Sequence, residues 1–222
     1  LTMKKEKIYA LCLLTIIFFS SFIYLYDLGG ESLTTDEYFS LYTAQLPLGE
    51  IVLRQNKEFY PNTIPPAYEI IMHFWLKIFG VSEFAQRSFS ALLGIASVYM
   101  LYRLACLLFG APTGILSALF GSLSFSWFSF FRLNRCYGLF IFLTLLSFYV
   151  FFNYLQNKEK KSSLPILIAI NIVLAYTHYF ACLVILVEAL SIVFEWKRDK
   201  EWAKDILLML IWVIISYIPW FE

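Results

Sequence analysis

Apolar residues occur along this chain in long runs that polar punctuation separates. The first, Ile8 to Tyr26, is 19 residues without a charge; at helical rise that is about 28 Å, close to the hydrocarbon thickness of a bilayer. Further uncharged or nearly uncharged runs cover about residues 88–109, 111–131, 137–155, 164–180, 181–194 and 206–221. The pattern predicts about seven transmembrane helices and an all-α, polytopic membrane helix bundle. Met3-Lys4-Lys5-Glu6-Lys7 before the first run suggests a signal peptide. The run is longer than a signal core, however, and Tyr24-Leu25-Tyr26-Asp27 at its end lacks the small residues of a cleavage site, so it reads as a retained helix. The stretch Leu164 to Glu195 is 32 residues, long for one crossing and short for two. A tight turn at Thr177-His178-Tyr179, near its centre, divides it.

Basic residues between the runs predict an orientation. With the N-terminus in the cytoplasm, four short segments on that side carry eleven of the seventeen Lys and Arg, whereas the outer segment 27–87 holds only Arg54, Lys57, Lys77 and Arg87. That follows the positive-inside tendency and predicts a multi-pass cell-membrane protein with segment 27–87 on the extracytoplasmic side.

Segment 27–87 carries its own helix signals. After the turn-rich Asp27-Leu28-Gly29-Gly30, Thr34 and Glu37 have capping-box spacing, so a short juxtamembrane helix begins there and runs to Leu46. Pro47 and Gly49 interrupt it, and Pro65-Pro66 signals a second start. From Ala67 to Phe79, Glu69, His73 and Lys77 recur every four residues, with Ile70, Ile71, Phe74, Trp75 and Ile78 on the other side. That spacing describes an interfacial helix lying on the bilayer.

Composition narrows the class further. The 222 residues are 60% hydrophobic and 15% charged, against roughly 25% charged in soluble domains. A formal charge of +1 excludes the basic surface that sequence-independent nucleic-acid binding requires. Cys12, Cys106, Cys136 and Cys182 are widely spread and form no disulfide framework or zinc spacing. No nucleotide-phosphate loop or metal-ligand run is visible; no cofactor is expected, and a role for a divalent metal is left open.

Three features carry candidate chemistry. Asp36-Glu37 are adjacent acids at a helix start; there they serve as capping groups, or as an ionised carboxylate able to take a proton. Arg132-Leu133-Asn134-Arg135-Cys136-Tyr137 puts two guanidinium groups on the outer side, where Arg either snorkels to headgroups or grips a phosphate with its planar fork. His178 shares that side. Asn171 and Glu188, inside apolar runs, read as a packing pair hydrogen-bonded across their hairpin.

The order of these features resembles the membrane glycosyltransferases of the GT-C superfamily that take sugars from polyprenyl phosphates, including protein O-mannosyltransferases and aminoarabinose transferases. The resemblance lies in Leu33-Thr34-Thr35-Asp36-Glu37-Tyr38 after the first helix, and in Ile64-Pro65-Pro66-Ala67-Tyr68. It continues through His73 to Gly80, Ser82 to Arg87, Asn134-Arg135-Cys136-Tyr137 and Thr177-His178-Tyr179-Phe180. It departs from the family at Thr34, Thr35 and Ile64, where an aromatic residue before the acids and a His before the prolines are common. The chain resembles the N-terminal portion of such proteins, one transmembrane glycosyltransferase-like domain over 1–222.

The resemblance implies a polyprenyl-phosphate-linked sugar donor, a lipid, glycan or protein acceptor, and transfer at the outer membrane face. Asp36 would be the catalytic base, Glu37 would orient the first outer helix or the acceptor, and Arg135 would hold the donor phosphate, joined by Arg132, His178 and Tyr137. Lys57 and Tyr68 are the candidate substrate contacts. The rival readings are a transporter or flippase, for which no inverted repeat is apparent, and a non-catalytic membrane fragment.

Overall fold

A computed structural model describes residues 2–57, 65–157, 163–196 and 199–220. Every run that the hydropathy pattern picks out is helical, and no strand occurs among the described residues. The helices are α1 (Thr2–Leu25), α2 (Thr35–Ala44), α3 (Leu48–Lys57), α4 (Ala67–Phe79), α5 (Glu83–Phe109), α6 (Ala111–Ser122), α7 (Phe125–Phe131), α8 (Tyr137–Gln156), α9 (Ser163–Ala175), α10 (Ala181–Glu195) and α11 (Lys200–Tyr217).

Four helical stretches among the described residues are long and apolar enough to cross a membrane: Lys4–Leu25, Glu83–Phe109, Tyr137–Gln156 and Lys200–Trp220. The predicted run 111–131 is α6 and α7 bent by 64°, a fifth passage if the two are one span. The break falls where Ser124 caps α7 by accepting the Trp127 N–H. The hairpin α9–α10 is apolar but short on both arms. The count of clear spans is therefore four or five, with two further apolar helices completing the seven predicted segments. The chain is a polytopic helical membrane protein.

Outward-facing apolar side chains fit that solvent. Phe18 is 77% exposed and Phe194 80%, positions at which a lipid-facing surface carries no penalty. Inside, α5 is the central element, packing on α1, α4, α6, α7 and α8, while α8, α9, α10 and α11 form a second group. Close approach between α5 and α7 depends on Gly94, where an added Cβ would stand 2.5 Å from Phe131 Cγ and 2.8 Å from its Cβ. Between the helices of the second group, Asn171 Nδ2 donates to Glu188 Oε2 at 2.8 Å, and Ser147 Oγ lies 2.7 Å from Glu188 Oε1. The predicted cross-hairpin pair is present, with Ser147 of α8 as its third member.

Segment 27–87 differs from expectation in two respects. Residues after Pro47 form a third short helix, α3, where an interruption was expected: a proline just before the first helical turn loses no intrahelical bond. The second difference is the rotation of α4. Its Glu69 and His73 are buried, 3% and 7% exposed, while Phe74 and Ile78 face outward at 49% and 73%. Two of the three polar positions turn into the protein, where they find partners, while Lys77 stays exposed: His73 Nδ1 donates to the Ala44 carbonyl at 2.8 Å, and Glu69 interacts with Ser40.

Gly94→Ala is expected to destabilise the bundle by about 1–3 kcal/mol through overpacking against Phe131. Thermal unfolding in detergent measures the loss, and shortening Phe131 to Leu in the same chain should recover part of it.

Candidate functional site

The α1–α2 connection, the α7–α8 turn and the α9–α10 turn converge at one end of the bundle, and α4 seals them from the side. Its first backbone N–H, of Ala67, donates to the Tyr176 carbonyl at 2.9 Å. Thr34 caps α2 in a complete capping box: its side chain accepts the Glu37 N–H, and its own N–H donates to Glu37 Oε2 at 3.0 Å.

Consecutive residues on a helix point about 100° apart, so Asp36 and Glu37 have different surroundings. Glu37 is fully buried. Arg87 grips it with both edges of its fork, Nε to Oε1 at 2.8 Å and Nη2 to Oε2 at 3.0 Å, and the Asn134 N–H donates to Oε1 at 2.9 Å. The rest of the Arg87 fork is spent on the carbonyls of Leu28, Glu31 and Ser32, at 2.9 to 3.1 Å. Burial pushes the Glu37 carboxyl up; the Arg87 hydrogen bonds, the Asn134 and Thr34 N–H groups and the Arg87 charge outweigh it and hold the carboxyl down to about 2. Glu37 is thus a permanent anion that fastens α2 to α5 and to the α7–α8 turn.

Asp36 is exposed beside this anchor. Arg135 reaches over from the α7–α8 turn, its Nη1 donating to the Asp36 carbonyl at 3.2 Å and to Ser40 Oγ at 3.0 Å. His178 is 5% exposed in a cage of Tyr179, Phe180, Phe140 and Tyr137, whose rings lie 4.4, 5.0, 5.4 and 6.1 Å away. Burial lowers its pKa, and the Arg135 charge lowers it further. Its Nδ1 accepts the Phe180 N–H at 3.2 Å, so the neutral ring carries its proton on Nε2 as a donor.

The structure thus brings Asp36, Glu37, Arg135, His178 and Tyr137 together. Arg132 has another task. Its Nη1 donates to the carbonyls of Ile23 at 3.2 Å and Tyr26 at 2.6 Å, Nη2 donates to that of Asp27 at 3.3 Å, and the guanidinium lies over the Phe128 ring. It closes the carbonyl end of α1, where a helix favours positive charge. Tyr68 is fully buried, with its hydroxyl donated to Asn134 Oδ1 at 2.8 Å. It supports the turn from beneath rather than facing an opening. Lys57 ends α3, and its side chain lies outside the described residues.

Three participants have no assigned role in the sequence. Asn134 stands in a motif of the resemblance without one, yet it joins Glu37, Tyr68 and Gln86, accepting from Tyr68 and donating to Gln86 Oε1 at 3.1 Å. Arg87 ends another such motif and counts among the outer-side charges, and the spacing of Glu69 puts it on the polar face of an interfacial helix. Among the described residues, no group of three or more His, Cys, Asp or Glu is arranged to hold a metal ion.

The sequence matches the family described as dolichyl-phosphate-mannose-protein mannosyltransferase over residues 63–220. The matched span includes Glu69, Arg87, Asn134, Arg135 and His178 and begins after Asp36 and Glu37. An uncharacterized protein of Aquifex aeolicus (strain VF5) is 34% identical over 143 residues, 62% of this chain and 28% of the relative's length.

Removing one partner of a buried, hydrogen-bonded ion pair typically costs about 3–5 kcal/mol. Glu37→Gln is expected to lose stability on that scale and to open segment 27–57 to protease in native membranes. The pH dependence has a definite sign. A carboxyl held at about 2 when folded, against 4.5 ordinarily, stabilises fully above the unfolded value and loses that contribution as pH falls through the folded one. Acid unfolding of the wild type should steepen below about pH 4.5, and Glu37→Gln should remove that component.

Proposed function

The chain belongs to the dolichyl-phosphate-mannose-protein mannosyltransferase family, and on that premise we propose that it forms the donor-binding and base-bearing part of a GT-C-type glycosyltransferase. It spans 28% of the length of its Aquifex relative, so the activity proposed is that of the whole protein. The reaction moves a sugar from a polyprenyl-phosphate donor to the hydroxyl of a lipid, glycan or protein acceptor at the extracytoplasmic membrane face. The supporting observation is the contact between Arg135 and the Asp36 backbone carbonyl, 3.2 Å, which brings a cation to the helix turn that carries an exposed carboxylate.

The acceptor oxygen attacks the anomeric carbon as the bond from that carbon to the phosphate oxygen breaks. The hydroxyl proton passes to Asp36, and the bonding pair leaves with the phosphate. The transition state has oxocarbenium character, as in glycoside cleavage generally. Because the departing phosphate is already a stabilised anion, the residues facing it need only meet growing negative charge. Arg135 does so with its guanidinium, and the His178 Nε2–H is the second donor on that side. Charge stabilisation of this kind is usually the larger catalytic term. Tyr137 packs between Phe130 and His178 and holds the His178 ring in place. Glu37 holds the helix that carries Asp36 and takes no proton.

The outer-face placement is supported by charge. In the sequence, the segments that alternate with the outer ones, 1–7, 103–113, 156–163 and 197–205, carry eleven of the seventeen Lys and Arg, as cytoplasmic connections do.

Asp36→Asn in the full-length protein is expected to reduce sugar transfer by at least about 10²-fold, the usual contribution of a positioned base, with normal abundance in the membrane. Near-normal turnover would refute its role. Arg135→Ala should raise the KM for the lipid-linked donor far more than that for the acceptor, which steady-state kinetics with each substrate varied in turn will separate.

A further inference from the structure

Glu69 is a buried titratable group that this mechanism leaves unused. It lies in the first turn of α4, 3% exposed, and its carboxyl meets the Ser40 hydroxyl and its own backbone N–H. Ser40 is itself buried, and its Oγ accepts from Arg135 Nη1 at 3.0 Å. A serine hydroxyl has one proton and two lone pairs, so the acceptor role toward Arg135 leaves its proton for a Glu69 oxygen. Guanidinium and hydroxyl are hydrogen-bonded to each other beside Asp36, and the buried Glu69 carboxyl interacts electrostatically with both. Two buried polar atoms of these residues, Glu69 Oε2 and Arg135 Nε, have no hydrogen-bond partner among the described residues.

We infer that Glu69 is a positioning residue for the donor, acting through Ser40 on Arg135, and that its protonation state decides how much of the Arg135 charge reaches the donor phosphate. The inference rests on the reading of Arg135 as the phosphate ligand. Protonated, Glu69 leaves the guanidinium charge uncompensated and directed at the donor. Ionised, it competes for that charge in a poorly solvated setting, where Coulomb terms are strong, and repels the phosphate.

The surroundings make this titration separable from others. Burial pushes the Glu69 carboxyl up to about 7, against the Arg135 charge and the hydrogen bonds from its own N–H and Ser40. The groups that interact with it are Ser40 on α2, Tyr68 on α4, and Arg135 and Cys136 in the turn before α8, with His178 in the α9–α10 turn reached through the Arg135 charge. From α5, the neutral Ser90 and Gln86 reach this layer through Tyr68 and Asn134. Burial pushes the Cys136 thiol up to about 12 and raises the Tyr68 phenol well above its ordinary value. The His178 imidazole is shifted down. His73 is tied to the Ala44 carbonyl through Nδ1.

The test measures equilibrium binding of radiolabelled polyprenyl-phosphate mannose to the full-length protein in nanodiscs, between about pH 6 and about pH 8.5. The probe is a phosphodiester and does not titrate there, unlike a phosphate monoester, whose second proton leaves near pH 6. Wild-type affinity is expected to fall above about pH 7 by up to about tenfold per pH unit, the limit for one linked proton. Glu69→Gln should bind with an affinity that is flat across the range. A flat wild-type profile, or a slope that survives in Glu69→Gln, overturns the inference. Should Glu69→Gln not fold, Glu69→Asp keeps an acid one methylene shorter: a shifted midpoint supports the role, and an unmoved one assigns the titration elsewhere and overturns it. Affinity indifferent to Arg135→Gln at every pH removes the donor-site reading itself, a result distinct from loss of the pH dependence alone.

Discussion

Two opposite charges removed from water at the edge of a lipid-solvated bundle persist only when nearly every lone pair and N–H on both is satisfied, because desolvation otherwise exceeds the attraction between them. Glu37 and Arg87 meet that condition. The carboxylate takes two bonds from Arg87, one from the Asn134 N–H and one from Thr34 N–H, and Arg87 directs its remaining N–H groups at three carbonyls of residues 28–32. A single pair thus joins α2, the turn before it, α5 and the α7–α8 turn. Arg135 lies one residue beyond Asn134, and Asp36 one residue before Glu37. The two side chains given the chemistry are neighbours because their chain neighbours are locked together.

The same constraint explains what the sequence made legible. Local signals carried through: the Thr34–Glu37 capping box is a rule of spacing, and the structure contains it. The apolar runs gave every membrane helix, since bilayer solvation demands that backbone polar groups pair within the segment. Asn171 and Glu188 were readable as partners because a hairpin that places two polar residues inside apolar arms leaves each with few alternatives. The short arms of α9 and α10 and the bend between α6 and α7 reflect how helices settle against neighbours, which no local pattern encodes.

Long-range choices were not legible. Arg132 and Arg135 are three residues apart and look equivalent in sequence; the carbonyl end of α1, over 100 residues away in the chain, claims one and leaves the other beside Asp36. Glu69 and His73 have the spacing of a wet helix face, and amphipathic periodicity states only that two faces differ. In a soluble protein the polar face goes outward; beside a bilayer the apolar face can meet lipid while the polar one turns to protein partners. Phe74 and Ile78 outward, with Glu69 against Ser40, is that second solution.

Adjacent carboxylates at one helix start do not share a task here, and helical geometry is the reason. Turned about 100° from each other, one must face the bundle when the other faces out. The buried one takes the strongest available cation and becomes a fixed anion, unable to gain or lose a proton in any physiological range. The exposed one stays in contact with solvent, outside that network. Reversing the order of the two would put the longer side chain outside and leave the shorter one to span the gap to Arg87, where a bidentate grip needs reach as well as charge. Division of labour in the Asp36-Glu37 pair follows from the pitch of α2 and the position of Arg87, and any arrangement that freed Glu37 for chemistry would release the helix on which Asp36 depends.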